Sequence, residues 1–244
     1  MNDFDLIVIG AGTGGNGVAR MAAAEGWKVA IVDRLPYGGT CALRGCDPKK
    51  MLVSVTEGVD RAQAMAGKGL VAEPRIDWAE MMAFKRTFTD AMPGRIEAGH
   101  DKAGIVTLHG TARFTAPDTI EIDGVAHRAR HFHIATGARP ASLGIPGEEH
   151  LITSTDFLEL PECPRRIAFV GGGYIAMEFA HIAARAGAEA VTVLQRGPRI
   201  LPNFDPDLTA ILAEATEALG ITVHTRAEVS GIARDGDAFR VRFD

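Results

Sequence analysis

Cysteine is scarce in this chain, with three among 244 residues. So few exclude the dense disulfide framework of a small secreted domain, and they favour a pair that cycles in a reducing compartment over a permanent staple. Long apolar runs are missing too. No stretch approaches the roughly 18 residues of a membrane-spanning helix, and the chain enters a short strand directly after Met1-Asn2-Asp3, without a basic leader or cleavage pattern. A cytoplasmic location is the expectation. Positive charge is not in excess: the net charge is −5, which gives no electrostatic case for nucleic acid or an anionic membrane as the main partner. What remains is an ordinary globular balance. With 46% hydrophobic residues there is material for a sizeable core in one or two domains.

Two of the three cysteines fall in Gly38-Gly39-Thr40-Cys41-Ala42-Leu43-Arg44-Gly45-Cys46-Asp47-Pro48-Lys49-Lys50. Their spacing is about one helical turn, close enough for a disulfide if the backbone bends. On spacing alone, unpaired core thiols or half a metal site are the commoner case, so the context has to decide.

That context begins upstream. Phe4–Ile9 reads as a buried parallel strand, Gly10-Ala11-Gly12-Thr13-Gly14-Gly15 as a turn, Asn16–Glu25 as a helix and Lys28–Val32 as a second strand closed by Asp33. Glycines at 10, 12 and 15 permit a tight turn, close approach of a pyrophosphate and close helix packing, and Asp33 is placed to hydrogen-bond a ribose. After the cysteines, Asp47-Pro48 reads as an N-cap and first helical residue, opening a helix over 49–58. Cys46 would then lie near the positive end of that helix, which favours a thiolate. Residues 76–99 read as helix broken near Pro93-Gly94, joined by a polar connection between Gly67 and Arg75. Residues 104–130 read as a small antiparallel meander, and 130–135 as a further strand ending in Ala135-Thr136-Gly137-Ala138-Arg139-Pro140. His131 and His133 alternate on that strand, but no third ligand stands at a recognised metal spacing. Residues 141–164 read as a linker with one short helix near Asp156, in which Cys163 is incidental.

At Arg166 the first pattern repeats. Ile167–Val170 is a strand, Gly171-Gly172-Gly173-Tyr174-Ile175-Ala176 a G-x-G-x-x-A turn, 177–186 a helix and Ala190–Leu194 a second strand. This unit ends in Gln195-Arg196 instead of an acid. Losing the carboxylate that binds a 2′-hydroxyl, with an arginine beside the position, suits a 2′-phosphate and so NADP over NAD; the alternative is that Arg196 is a solvated surface charge. A helix over 206–219, a strand over 221–224 and the start of a second meander over 228–243 follow, and the pattern then stops, as a fragment would. The fold class is α/β, with two Rossmann-like nucleotide-binding domains, 1–157 and an incomplete 158–244, each with a small antiparallel meander.

With G-G-T-C-x-x-x-G-C-x-P-K at 38–49, A-T-G-x-x-P at 135–140 and G-x-G-Y-I-A-x-E at 171–178, the chain resembles the FAD-containing pyridine nucleotide-disulfide oxidoreductases, the family of glutathione reductase, dihydrolipoamide dehydrogenase and mercuric reductase. The resemblance implies that Gly10, Gly12, Gly15, Asp33, Thr40, Thr136 and Gly137 serve FAD. It assigns Gly171, Gly173, Tyr174, Ile175, Gln195 and Arg196 to the pyridine nucleotide, with Tyr174 as the ring covering the empty nicotinamide pocket. Hydride would pass from NADPH to flavin N5 and on to a Cys41–Cys46 disulfide. Cys46 would face the flavin as thiolate and Cys41 would attack the substrate, with Lys49 beside N5 and Glu178 as its ion-pair partner. Arg20 matches an arginine that faces a substrate carboxylate in glutathione reductases, so a small glutathione-like disulfide is favoured. An NAD-dependent lipoamide dehydrogenase, a mercuric reductase and a non-catalytic nucleotide-binding protein or inactive fragment are the alternatives.

Two departures from the family pattern stand out. Asp47 and Arg44 replace residues that are commonly apolar, and Asp47 is expected to disfavour the adjoining thiolate while Arg44 offsets it, retuning redox potential or substrate range. The family's C-terminal part has no counterpart in these residues; it supplies a dimerisation domain and the histidine acid/base for the partner subunit's cysteines. A homodimer is therefore expected of the full-length protein, and poor activity of residues 1–244 alone.

Overall fold

The computed structural model describes residues 3–71 and 74–244. It resolves into two compact units, the residues up to Lys50 with Phe84–Arg139, and Met51–Ala83 with Pro140–Asp244. Met1 and Asn2, and Ala72 and Glu73 of the expected polar connection, lie outside the described residues.

The first unit is built on the strands β1 (Asp3–Ile9), β2 (Val29–Asp33), β3 (Val106–His109), β4 (Ala112–Ala116), β5 (Thr119–Ile122) and β6 (Val125–Ile134). They form one sheet in the order β3-β2-β1-β6-β5-β4. From Leu6 to Ile9 β1 is continuously apolar because both its faces are covered. Leu6 and Val8 join Val29 and Ile31 in one cluster with Ala19 of helix α1 (Thr13–Ala24), while Ile7 joins Ala30, Val32, Ile120 and Ile122 in another. Burial of each Leu, Ile or Val contributes about 1.5–3 kcal/mol, so this period-two alternation fixes the register: a slip by one residue would exchange the two faces.

The structure corrects the reading of 104–135. β3 belongs to the parallel sheet, paired with β2, and β6 is one continuous strand. β6 pairs antiparallel with β5 through Thr119↔Arg128 and parallel with β1 from Asp3↔Arg128 to Ile9↔Ile134. Arg128, Arg130, His131 and His133 interrupt its apolar pattern, which is why it reads as two pieces.

The second unit holds a parallel sheet β7-β8-β9, formed by Arg166–Val170, Ala190–Gln195 and Ile221–Thr225, and a separate antiparallel hairpin of β10 (Val229–Asp235) and β11 (Ala238–Phe243). Helices α3 (Cys46–Ala64) and α4 (Trp78–Thr89) begin and end in different units, α5 (Met92–Lys102) lies in the first, and α6 (Ser154–Phe157), α7 (Tyr174–Arg185) and α8 (Pro206–Ala218) in the second. Leu52, Met81, Phe157, Phe179, Ile182, Val193 and Ile221 share its core. Helices α3, α7 and α8 are also tied by a polar chain. Arg185 Nε donates to Asp60 Oδ2 at 2.6 Å and Arg185 contacts His181 Nδ1 at 3.0 Å, while His181 Nε2 reaches Thr216 Oγ1 at 2.9 Å. Burial, and then the Arg185 charge, hold His181 below its usual pKa.

Candidate functional site

In the first unit β1 runs into a turn that only glycine can make. Gly10 has φ +110°, and a Cβ there would fall 2.2 Å from the Ala135 carbonyl oxygen; a Cβ at Gly15 would fall 1.9 Å from the Gly10 oxygen. These two glycines answer to the protein's own packing. Gly12 does not, since the nearest atom to a Cβ there is Gly39 Cα at 3.7 Å. Gly12 is also the N-cap of α1 and makes no side-chain cap, so the first N–H groups of the helix are left for an anion. Asp33 closes the turn from the end of β2: Oδ2 accepts from Ala11 N at 2.8 Å and Oδ1 from Leu35 N at 2.9 Å. Each carboxylate oxygen keeps acceptor capacity for a ribose hydroxyl.

The cysteine segment is docked on this turn. Gly38 N donates to the Ala11 carbonyl at 3.1 Å. At Gly39, with φ +63°, a Cβ would fall 2.5 Å from Gly12 Cα, so backbone lies directly on backbone. Helix α2 (Gly39–Arg44) carries Cys41, Gly45 breaks it with φ −155° and ψ −107°, and α3 starts at Cys46. The expected N-cap at Asp47 is therefore corrected. Once Gly45 has broken the chain direction, Cys46 is already helical, and Asp47 and Pro48 fall within the first turn, where proline loses no hydrogen bond.

Cys41 is half-buried and Cys46 exposed, and both are thiols. The Cys41 pKa is raised, first by its hydrogen bond to Cys46, then by burial and by the charges of Cys46 and Asp47, with Lys50 opposing. The carboxylate of Asp47, 4.0 Å from Lys50 Nζ, is thus one of the charges that act on Cys41. Lys49 stands on the first turns of α3, with its N–H on the Gly45 carbonyl at 3.1 Å. Thr40, Thr136 and Gly137 are exposed, the last with φ +76°.

In the second unit the corresponding turn is open. Gly171, at φ +98°, and Gly173 would meet nothing within 4 Å if given a Cβ. Gly173 is the uncapped N-cap of α7, and Tyr174 and Ile175 at its start are 60% and 44% exposed. Glu178 follows on the second turn of this helix. Gln195 is buried, and its Oε1 accepts from Gly172 N at 2.9 Å, whereas Arg196 is exposed. Both turns therefore end in the uncapped helix N-terminus that favours a dinucleotide pyrophosphate, and the second also has open space around its glycines.

Arg20 is exposed and crosses α5, its guanidinium nitrogen 2.6 Å from where a Cβ of Gly99 would lie. His131 stacks on Trp27 with ring centroids 5.4 Å apart, and among the described residues no group of three His, Cys, Asp or Glu side chains is placed to hold a metal. Cys163 packs against the second unit's core, and burial pushes its thiol pKa up. Sequence reasoning missed His100, fully buried, with Nε2 2.8 Å from Asn16 Oδ1. An isolated histidine in a helix carries no local signal of such a contact.

A parallel sheet with a glycine turn feeding a helix, repeated along one chain with a cysteine pair after the first, defines a Rossmann-type dinucleotide-binding protein. Residues 4–243 match the family model described as pyridine nucleotide-disulphide oxidoreductase, and the chain belongs to that family. It is 37% identical over 241 residues to a glutathione reductase of Burkholderia cepacia, covering 98% of this chain and 54% of that protein. It is 35% identical over 243 residues to a dihydrolipoyl dehydrogenase of Thermus scotoductus, covering 99% of this chain and 52% of that one. The HOCl-induced flavoprotein disulfide reductase RclA of Escherichia coli superposes with a TM-score of 0.85 at 26% identity, over 98% of this chain and 53% of RclA. The chain thus spans about half the length of these relatives.

Proposed function

We propose that this chain carries the nucleotide-binding and dithiol portions of an NADPH-dependent FAD disulfide reductase acting on a small, glutathione-like disulfide. The observation that carries the reading is the docking of Gly38-Gly39 on the Ala11-Gly12 turn, which fixes the cysteine pair to one nucleotide site. In this reading residues 1–157 serve FAD through Gly10, Gly12, Gly15, Asp33, Thr40, Thr136 and Gly137. Residues 158–244 serve the pyridine nucleotide through Gly171, Gly173, Tyr174, Ile175 and Gln195, with exposed Arg196 taking the 2′-phosphate. Bound FAD would supply the two-electron link between pyridine nucleotide and disulfide.

The chain's own residues do the rest. The Cys41 sulfur attacks the substrate disulfide, forming a mixed disulfide and releasing one thiol; Cys46 then attacks the Cys41 sulfur, closing the Cys41–Cys46 disulfide and releasing the second. Because Cys41 holds its proton firmly, the attack needs a base, a role the family resemblance gives to a histidine of the partner subunit in a cytoplasmic homodimer. Lys49 places a cation where negative charge arrives, and the family resemblance gives it Glu178 as ion-pair partner. Arg20 offers its exposed charge to a substrate carboxylate.

Anaerobic titration of the full-length protein with NADPH tests this. A long-wavelength thiolate–flavin band is expected, with NADPH reducing about tenfold faster than NADH, the effect of a single charge contact of about 1.4 kcal/mol. Bleaching without the band removes the dithiol role, and equal rates remove the role of Arg196.

A further inference from the structure

We propose that His100 is a positioning residue which, through Asn16, fixes the peptide that joins the first glycine turn to the cysteine segment. The inference rests on the reading of that turn as the flavin-nucleotide site. His100 lies on α5 and is fully buried, yet none of the proposed chemistry uses it. Its Nε2 is 2.8 Å from Asn16 Oδ1, and Asn16 Nδ2 donates to the Ala11 carbonyl at 3.1 Å. The same carbonyl accepts from Gly38 N at 3.1 Å, and the Ala11 N–H is held by Asp33 at 2.8 Å. Every polar atom of the Ala11 residue's backbone is therefore committed, and the donor chain starts at His100.

The orientation of the Asn16 amide follows from its partners. Flipped, it would set its oxygen against the Ala11 carbonyl, so the nitrogen faces Ala11, the oxygen faces His100, and His100 carries its proton on Nε2. Its Nδ1 is then a buried lone pair with no hydrogen-bond partner among the described residues. An apolar side chain would fill this space without that orphan, so the gain from histidine here lies in the Nε2–H donor. The groups facing the ring keep it neutral. Burial and the Arg20 charge on α1 lower its pKa against the opposing charge of Glu97 on α5, and the Tyr37 ring packs edge-on at 6.1 Å. A neutral ring with one donor holds the Asn16 amide in a single orientation, and that amide in turn sets the carbonyl on which Gly38 docks.

The test compares His100→Leu, His100→Gln and Asn16→Asp in the full-length protein. Amide exchange at Gly38 is read by mass spectrometry, and FAD affinity by the fluorescence of released flavin. Gln retains an N–H donor at nearly the same reach. Asp keeps an acceptor for His100 but has no donor for Ala11. We expect His100→Leu and Asn16→Asp each to speed Gly38 exchange at least tenfold and to weaken FAD binding about tenfold, with His100→Gln within threefold of the parent on both. Unchanged Gly38 protection in either His100→Leu or Asn16→Asp overturns the inference, even if His100→Leu lowers the melting temperature, since a residue that merely fills the core would do that alone. If the unsubstituted protein binds no FAD, the flavin reading fails, and Gly38 exchange still decides the relay.

Discussion

The two glycine turns of this chain share a G-x-G-x-x-G/A pattern and have different surroundings. In both, the residue ending the second strand reaches back to the middle of the turn: Asp33 accepts from Ala11 N at 2.8 Å and Gln195 from Gly172 N at 2.9 Å. A carboxylate and an amide thus share one structural task, and the difference between acid and amide is free to act on the ligand. The neighbours differ. β1 is flanked by β2 and β6, so Gly10 lies under the Ala135 carbonyl, and the cysteine segment covers Gly12. Among the described strands β7 pairs with β8 alone, and Gly171 faces open space. The first turn is enclosed by its own chain and the second is exposed, so a motif shared at sequence level places very different demands on a side chain.

The largest test of this contrast is a matched pair of alanine substitutions. Gly10→Ala combines a left-handed φ with overlap of a main-chain oxygen, and is expected to cost more than about 4 kcal/mol, enough to cut soluble yield. Gly171→Ala meets only the backbone strain, about 1–3 kcal/mol. Thermal unfolding measures both, and equal losses would break the comparison.

A smaller effect separates the two strand-end residues. Gln195→Leu leaves the Gly172 N–H unpaired at a buried site and is expected to cost about 1–3 kcal/mol. Gln195→Glu retains an acceptor oxygen, so it should hold most of that stability while repelling a 2′-phosphate and moving preference from NADPH towards NADH. Unfolding midpoints and the ratio of the two reduction rates read these effects separately. A Gln195→Glu protein as unstable as Gln195→Leu would show that the hydrogen bond is not what Gln195 contributes.

The repeat itself was legible in the sequence because β1, α1 and β2, and later β7, α7 and β8, are local and periodic. Cys41 and Cys46 were singled out by the nucleotide-binding pattern around them, because their spacing alone left core thiols or half a metal site open. What escaped depends on distant partners. β6 read as two pieces because its first residues, 125–128, serve β5 and 128–134 serve β1, and no local pattern announces a strand with two roles. Asp47 read as an N-cap because the break at Gly45 depends on a backbone conformation that composition does not state. His100 was invisible because Asn16, 84 positions away, is its partner. Gly39 looked like any turn glycine, although its reason is the approach of Gly12.

The cysteines belong to the first turn alone, and the mildest test asks what electrostatics that docking gives them. Asp47 raises the Cys41 pKa and Lys50 lowers it. Replacing Asp47 by Asn removes the raising charge and frees Lys50, so the pKa should fall and the thiolate fraction at a given pH should rise. Alkylation of reduced Cys41 by iodoacetamide at pH 8, located by fragment mass spectrometry, is expected to quicken about two- to threefold, because the thiolate is the reacting form. The whole rate profile should slide towards lower pH. Lys50→Gln should move it the other way, since the same carboxylate would then act unopposed. Because the hydrogen bond to Cys46 is the first cause of the shift, neither substitution should bring Cys41 back to an ordinary thiol, and Cys46→Ala, which leaves no partner for that bond, should move it further than both. A profile indifferent to Asp47 and Lys50 would leave the cysteine pair itself, with burial, as the whole origin of the raised value.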